Sequence, residues 1–262
     1  MGQDGGTPYP WRHHQREALL AVEKAEANGG SRSWVVLPPG TGKTLVGLET
    51  ARRRGRPTVV LGPNTAIQTQ WLRGWDAYGD EKAGSDREIT AAFTALTYQS
   101  LATFDADRED EDDDRKGSLV DDLHDNGRAL VERLVEIGDL TLVLDECHHL
   151  LEVWGRLLGE VLEQLPDAYV LGLTATPPDT MTADQAALVN RLFGETTYVA
   201  SIPAVVRQGD LAPFAELAWL TTPTPHEQQW LAAQAERFTE LTTALTDPSN
   251  GDLLTWLDRR FL

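Results

Sequence analysis

The 262-residue sequence is short of three things, and each shortage removes a class of protein. It holds a single cysteine, Cys147, so no disulfide can form within the chain and a disulfide-stapled scaffold is excluded. It has no apolar run approaching the roughly 18 residues of a membrane-spanning helix. It opens on a Gly-rich polar stretch rather than a basic-then-apolar leader, so a cytoplasmic protein that crosses no membrane is expected. It is also short of cations: 23 Lys and Arg stand against 41 Asp and Glu, a formal charge of -18. That balance argues against a chain that coats nucleic acid without regard to sequence, although a local patch could still touch it.

Part of the acidity is concentrated. Residues 105–116 carry eight acidic and three basic side chains, including the run Glu109-Asp110-Glu111-Asp112-Asp113-Asp114. Such a run repels itself, and residues 105–117 read as a disordered, solvated surface insert. The chain as a whole is 41% hydrophobic, enough for one large α/β domain or a domain with an appendage. Short apolar runs predict strands at about 33–37, 58–61, 90–96, 140–144 and 168–173. Between and around them, helices are predicted at 11–28, 43–54, 64–77, 118–137, 149–164 and 183–193. Strands and helices alternating in this way imply a parallel sheet covered on both faces. Past the linker-like Thr221-Thr222-Pro223-Thr224-Pro225 the pattern changes, and residues 227–245 read as an amphipathic helix. The expected division is residues 1–220 as the α/β domain and 221–262 as a helical extension.

Two runs carry chemistry. Pro38-Pro39-Gly40-Thr41-Gly42-Lys43-Thr44 lies between the apolar Trp34-Val35-Val36-Leu37 and a helical segment. Strand, Gly-rich turn and helix in that order is the setting of a phosphate-binding loop, where backbone N–H groups and the helix N-terminus cradle anionic oxygens. Lys43 would reach the terminal phosphates of ATP, and the Thr44 hydroxyl would ligate Mg2+. The strict pattern asks for Gly five positions before the Gly-Lys pair, where this chain has Leu37. The second run, Asp145-Glu146-Cys147-His148, caps the buried strand Leu140-Thr141-Leu142-Val143-Leu144. There Asp145 would hold the metal, and Glu146 would face the water that attacks the γ-phosphate. Both runs end strands of parallel type, where such sheets place their ligands. Cys147 with two adjacent imidazoles, His148 and His149, does not make a four-ligand zinc set.

Further blocks fall in order around these two. Trp11-Arg12-His13-His14-Gln15 precedes the phosphate loop, Gly62-Pro63-Asn64 follows the second strand, and Thr97-Tyr98-Gln99-Ser100 follows the third. Gly172-Leu173-Thr174-Ala175-Thr176-Pro177 ends the fifth, and Ser201-Ile202-Pro203 leads to Gly209-Asp210-Leu211-Ala212-Pro213-Phe214. In this set the sequence resembles the first, RecA-like motor domain of superfamily 2 DExH-box helicases and translocases. It looks closest to the branch of the excision-repair helicases and restriction-enzyme motor subunits. The resemblance covers about residues 9–220 and implies a RecA-like P-loop NTPase fold.

The resemblance also implies roles. Gln15, with Arg12 a turn before it, would contact the adenine edge. Pro39, Gly40, Thr41, Gly42, Lys43 and Thr44 match the nucleotide loop, and Asp145 and Glu146 match the magnesium and general-base positions. His148 matches the last residue of the box, and with Thr174 and Thr176 it would couple hydrolysis to movement. Pro63, Asn64, Thr97 and Tyr98 or Gln99 would touch the sugar-phosphate backbone of one strand, DNA in preference to RNA. Helix capping by Asn64 and turn chemistry at Thr97 account for the same residues equally well. Arg52, Arg53, Arg54 and Arg56 fall at the far end of the loop helix, where they suit its dipole. Trp71 and Trp75 read as packing residues.

Motors of this kind hydrolyse ATP between two RecA-like domains, the second supplying an arginine finger. No such finger or second strand set is recognisable after Phe214. The expectation is therefore the first half of a motor, binding ATP–Mg weakly and hydrolysing it slowly by itself. The alternative is an ATP-binding regulatory or interaction module without motor activity.

Overall fold

A computed structural model describes residues 10–78, 82–101, 118–121, 123–147, 153–176, 182–213 and 221–246. The acidic insert, His148, His149, Pro177 and Phe214 lie outside the described residues. The chain divides into two compact units, residues 1–213 and 214–262.

In the first unit, seven strands form one sheet in the order β3-β4-β2-β5-β6-β1-β7. They are β1 (Arg32–Val36), β2 (Thr58–Gly62), β3 (Ala83–Gly84), β4 (Phe93–Thr97), β5 (Thr141–Asp145), β6 (Tyr169–Thr174) and β7 (Thr196–Val199). Every pairing is parallel, so each connection must cross a face of the sheet. The five expected strands are present within a few residues. The two short ones, β3 and β7, were not expected: two residues of β3 carry no pattern, and β7 is mostly accessible along its length.

The two faces of the sheet are legible residue by residue. Because side chains alternate along a strand, Val35 and Leu37 enter one core with Val60 and Val143. Their neighbours Trp34 and Val36 enter the other, with Leu61, Leu142 and Leu144. The first core is closed by α1 (His13–Ala27), α2 (Lys43–Arg54) and α3 (Thr65–Asp76). The second is closed by α4 (Tyr98–Leu101), α5 (Asp125–Ile137), α6 (Val153–Glu163) and α7 (Ala183–Phe193). Near-continuous apolar strands such as Leu142-Val143-Leu144 follow from burial on both sides.

Local chemistry sets the helix ends. Asn64 caps α3, its side-chain oxygen accepting from Ile67 N at 3.0 Å. Thr182 and Gln185 form a reciprocal capping box on α7. α2 stops at left-handed Gly55, after three arginines that face its negative end. A short α8 (Ile202–Arg207) follows β7, capped by Ser201.

In the second unit, α9 spans Pro225–Thr246 and leaves Trp230, Leu231, Phe238 and Leu241 exposed. Among the described residues no helix is long and apolar enough to cross a membrane.

Candidate nucleotide site and adjoining loops

The Gly-rich loop between β1 and α2 is built by two reversals that only glycine makes without strain. Gly40 and Gly42 have φ of 76° and 86°. Between them Thr41 is buried, its hydroxyl donating to Pro38 O at 2.5 Å. Gly42 is the N-cap of α2 and brings no capping side chain, the kind of helix end that can serve an anion. Lys43 and Thr44 are its first two residues.

Asp145 is the last residue of β5, and Glu146 leaves the strand with φ of 52°, rare for a residue with a side chain. That turn sets the two carboxylates apart. Asp145 is buried; its Oδ2 accepts from Trp71 Nε1 at 2.8 Å and its Oδ1 from Glu146 N at 3.0 Å. Burial raises its pKa above the usual aspartate value, against the lowering effects of the Trp71 N–H and the Lys43 charge. Glu146 reaches back to the loop, its Oε1 lying 3.1 Å from Lys43 Nζ. The two runs picked out in the sequence therefore meet.

The block before the loop braces it. Gln15 is buried; its Nε2 donates to Thr41 O at 2.8 Å and its Oε1 accepts from Arg12 N at 3.0 Å. Contact with a base edge would require one end of the amide to change partner. Arg12 donates to Gly40 O and to Asp210 O, both at 3.3 Å. His14, which the sequence did not single out, is also buried, with Nε2 2.9 Å from Thr41 O and Nδ1 3.3 Å from Asp210 Oδ2. A carbonyl can only accept, so Nε2 is the protonated nitrogen in that contact. Its signal was its place between Arg12 and Gln15.

Thr174 closes β6; its carbonyl accepts from Leu37 N at 3.0 Å, joining the end of β6 to the residue that follows β1. Thr176 N donates to Thr174 Oγ1 at 3.3 Å. On the other side, Gln99 Nε2 lies 3.5 Å from Pro63 O, so the two loops expected to touch a strand lie side by side. Thr97 Oγ1 is 3.2 Å from Ser100 Oγ. Of the two alternatives Tyr98 and Gln99, it is Tyr98 whose side chain turns inward. Its ring is buried and its hydroxyl donates to Asp145 O at 2.8 Å, because the apolar core beneath β5 takes the aromatic inward.

The four arginines at and just past the C-terminal end of α2 are all ion-paired: Arg52 and Arg53 to Glu49, Arg53 also to Glu23, Arg54 to Glu26 and Arg56 to Asp139. Trp71 and Trp75 pack against Phe93, the latter stacked at 4.3 Å. Cys147 is buried and burial pushes its thiol pKa up, which is the opposite of a reactive thiolate. Among the described residues no group of three or more His, Cys, Asp or Glu could hold a metal.

A parallel sheet with a Gly-rich loop after β1 and a carboxylate pair at the end of β5 defines a RecA-like P-loop domain. Residues 8–179 match the family described as "Type III restriction enzyme, res subunit", and the chain belongs to that family. It is 25% identical over 218 residues to a type I restriction enzyme EcoAI endonuclease subunit of Escherichia coli, covering 80% of this chain and 24% of that one. It is 30% identical over 192 residues to a putative DNA 3'-5' helicase Rad25 of Halobacterium salinarum, covering 70% and 26%. The chain thus spans about a quarter of the length of these relatives. Among solved structures, the type ISP restriction-modification enzyme LlaBIII bound to DNA matches with TM-score 0.51 and 15% identity, covering 78% of this chain and 16% of that one. The Pyrococcus furiosus Hef helicase domain matches with TM-score 0.50 and 18% identity, covering 74% and 39%. Both likenesses are of fold.

Proposed function

We propose that the chain is the first motor domain of an ATP-dependent nucleic-acid helicase or translocase. The observation that carries the reading is the meeting of Lys43 and Glu146, at 3.1 Å, beside the buried Asp145. A phosphate-binding cation, a metal-binding carboxylate and a base are gathered at one edge of a parallel sheet, where such folds bind ligands.

The oxygen donors of Thr44 and Asp145 suit a hard divalent cation. Magnesium held there would neutralise charge developing on the β- and γ-phosphates. Lys43 and the first turn of α2 hold the phosphates. Glu146 Oε1 accepts the proton of the attacking water. Gln15 and Arg12 hold the loop from the α1 side and border the place for adenine. Thr174, Thr176 and His148 pass the change on to a second RecA-like domain, which supplies the arginine finger. Such fingers are worth about 10³–10⁵ in rate, so this domain alone hydrolyses ATP slowly. Pro63, Asn64, Thr97 and Gln99 position one strand through backbone and small polar groups. DNA rather than RNA is the track, a preference supported by the DNA helicase relative.

The test is the ATPase rate of the longest natural chain with single- and double-stranded DNA and RNA. Stimulation by DNA, lost in Lys43→Ala, is expected. A rate indifferent to every nucleic acid ends the motor reading.

A further inference from the structure

Two adjacent residues of α3 each touch one of the groups assigned to the cation. Trp71 Nε1 donates to Asp145 Oδ2 at 2.8 Å, and Gln70 Nε2 donates to Thr44 Oγ1 at 2.8 Å. The first bond is buried and joins residues 74 apart in the chain. Trp71 itself is fully buried, its ring stacked near Phe93 and lying against Gly47 of α2. An indole held on two sides keeps its N–H in one direction. The contact is not a default of buried tryptophans here: Trp75, one turn later, has no hydrogen-bond partner for its own Nε1 among the described residues.

A carboxylate offers about four lone-pair positions. Trp71 and the Glu146 N–H use one on each oxygen of Asp145, leaving acceptor capacity on both. An uncharged donor behind a metal-binding carboxylate fixes its rotation without competing for the charge, and such supports typically matter about 10- to 100-fold in metal affinity. We propose that Trp71 is a positioning residue for the cation site, and that α3, through Trp71 and Gln70, is the common mount of Asp145 and Thr44. This rests on the reading of those two residues as cation ligands. The same helix, α3, is capped by Asn64, next to the Pro63 loop.

The test is the magnesium requirement of nucleotide binding, read with a fluorescent ATP analogue titrated with MgCl2, so that no turnover is needed. Trp71→Phe keeps an aromatic ring and removes the N–H. It should bind the analogue as the unaltered chain does in EDTA, yet need about tenfold more Mg2+ for half-saturation. Gln70→Ala changes an exposed side chain, so folding is not at stake, and should raise the requirement by a smaller factor. A Trp71→Phe protein with a lowered melting point but an unmoved Mg2+ midpoint overturns the positioning role. An unmoved or lower midpoint in Gln70→Ala overturns the shared mount, and decides the matter if Trp71→Phe does not fold. The cation reading fails separately: there the unaltered chain and Thr44→Ala would bind the analogue equally at every Mg2+ concentration.

Discussion

Lys43 Nζ stands 3.1 Å from Glu146 Oε1, so the lysine assigned to the phosphates and the carboxylate assigned to the water are each other's partners in this structure. Both are largely sheltered, with 11% and 25% of their side chains accessible. The lysine must exchange this partner for phosphate oxygens before the carboxylate can take a proton. Glu146→Gln removes the competing charge. It should bind ATP about three- to fivefold more tightly, as expected of a partly exposed pair worth about 1 kcal/mol. In the longest natural chain it should lose about 10²–10⁴ of turnover. Lys43→Ala should weaken binding instead. Calorimetric titration with ATP separates the two, and weaker binding by Glu146→Gln would count against the pair.

Tyr98 gives a test that distinguishes a core role from a strand contact. Its hydroxyl is buried against Asp145 O at 2.8 Å. Tyr98→Phe leaves that carbonyl short of a partner and should cost about 1–2 kcal/mol in urea unfolding. Nucleic-acid affinity of the longest natural chain should not change. A loss of affinity with unchanged stability would return Tyr98 to the strand-contacting set.

Glu49 is a buried carboxylate with a predictable pH signature. Its oxygens accept from Arg52 at 2.8 and 2.7 Å and from Arg53 at 2.6 Å. Burial alone would raise its pKa; the bonds and charges of the two arginines outweigh that and lower it. The native state therefore binds the Glu49 proton less tightly than the unfolded chain. The stability gained is complete above the unfolded value near 4.3 and is lost as pH falls through the lower native value. Glu49→Gln should be about 1–2 kcal/mol less stable at pH 7, with the gap closing below about pH 4. Denaturant unfolding at several pH values measures it, and a gap that widens in acid would contradict this account.

Much of the fold was written in local pattern. Val35 and Leu37 against Trp34 and Val36 is an alternation any reader can assign to two faces, and the Gly-Lys-Thr turn announces itself. The edge strands were not legible because β3 is two residues long and β7 buries little. The sequence also gave no sign of the contacts that brace the site. His14 to Asp210, and Trp71 to Asp145, join residues far apart in the chain, and residue type alone names no partner. Between Tyr98 and Gln99 the sequence could not choose, because an aromatic after a strand can face a ligand or the core, and only the packing beneath β5 turns the Tyr98 ring inward. Long-range contacts of this kind are properties of the assembled sheet, not of any window of sequence.

The approach of α2 to α3 sets the last prediction. A Cβ on Gly47 would lie 2.4 Å from Cη2 of Trp71 and 3.0 Å from Cδ1 of Leu173. Gly47→Ala gains about 1 kcal/mol of helix propensity, whereas forcing a methyl into a filled core costs about 1–3 kcal/mol. The balance turns on whether Trp71 can move. Its ring lies near Phe93 and its N–H is bonded to Asp145, so the clash should win. Gly47→Ala should therefore unfold at lower urea concentration. Phenylalanine lacks the outer indole ring that causes the clash, so in the Trp71→Phe background the same substitution should cost less or become favourable. The resulting coupling, of about 1 kcal/mol or more, would mark the two residues as direct neighbours. Additive effects of the two substitutions would mean that α2 and α3 accommodate the methyl elsewhere, and that Trp71 is not held as tightly as its contacts indicate.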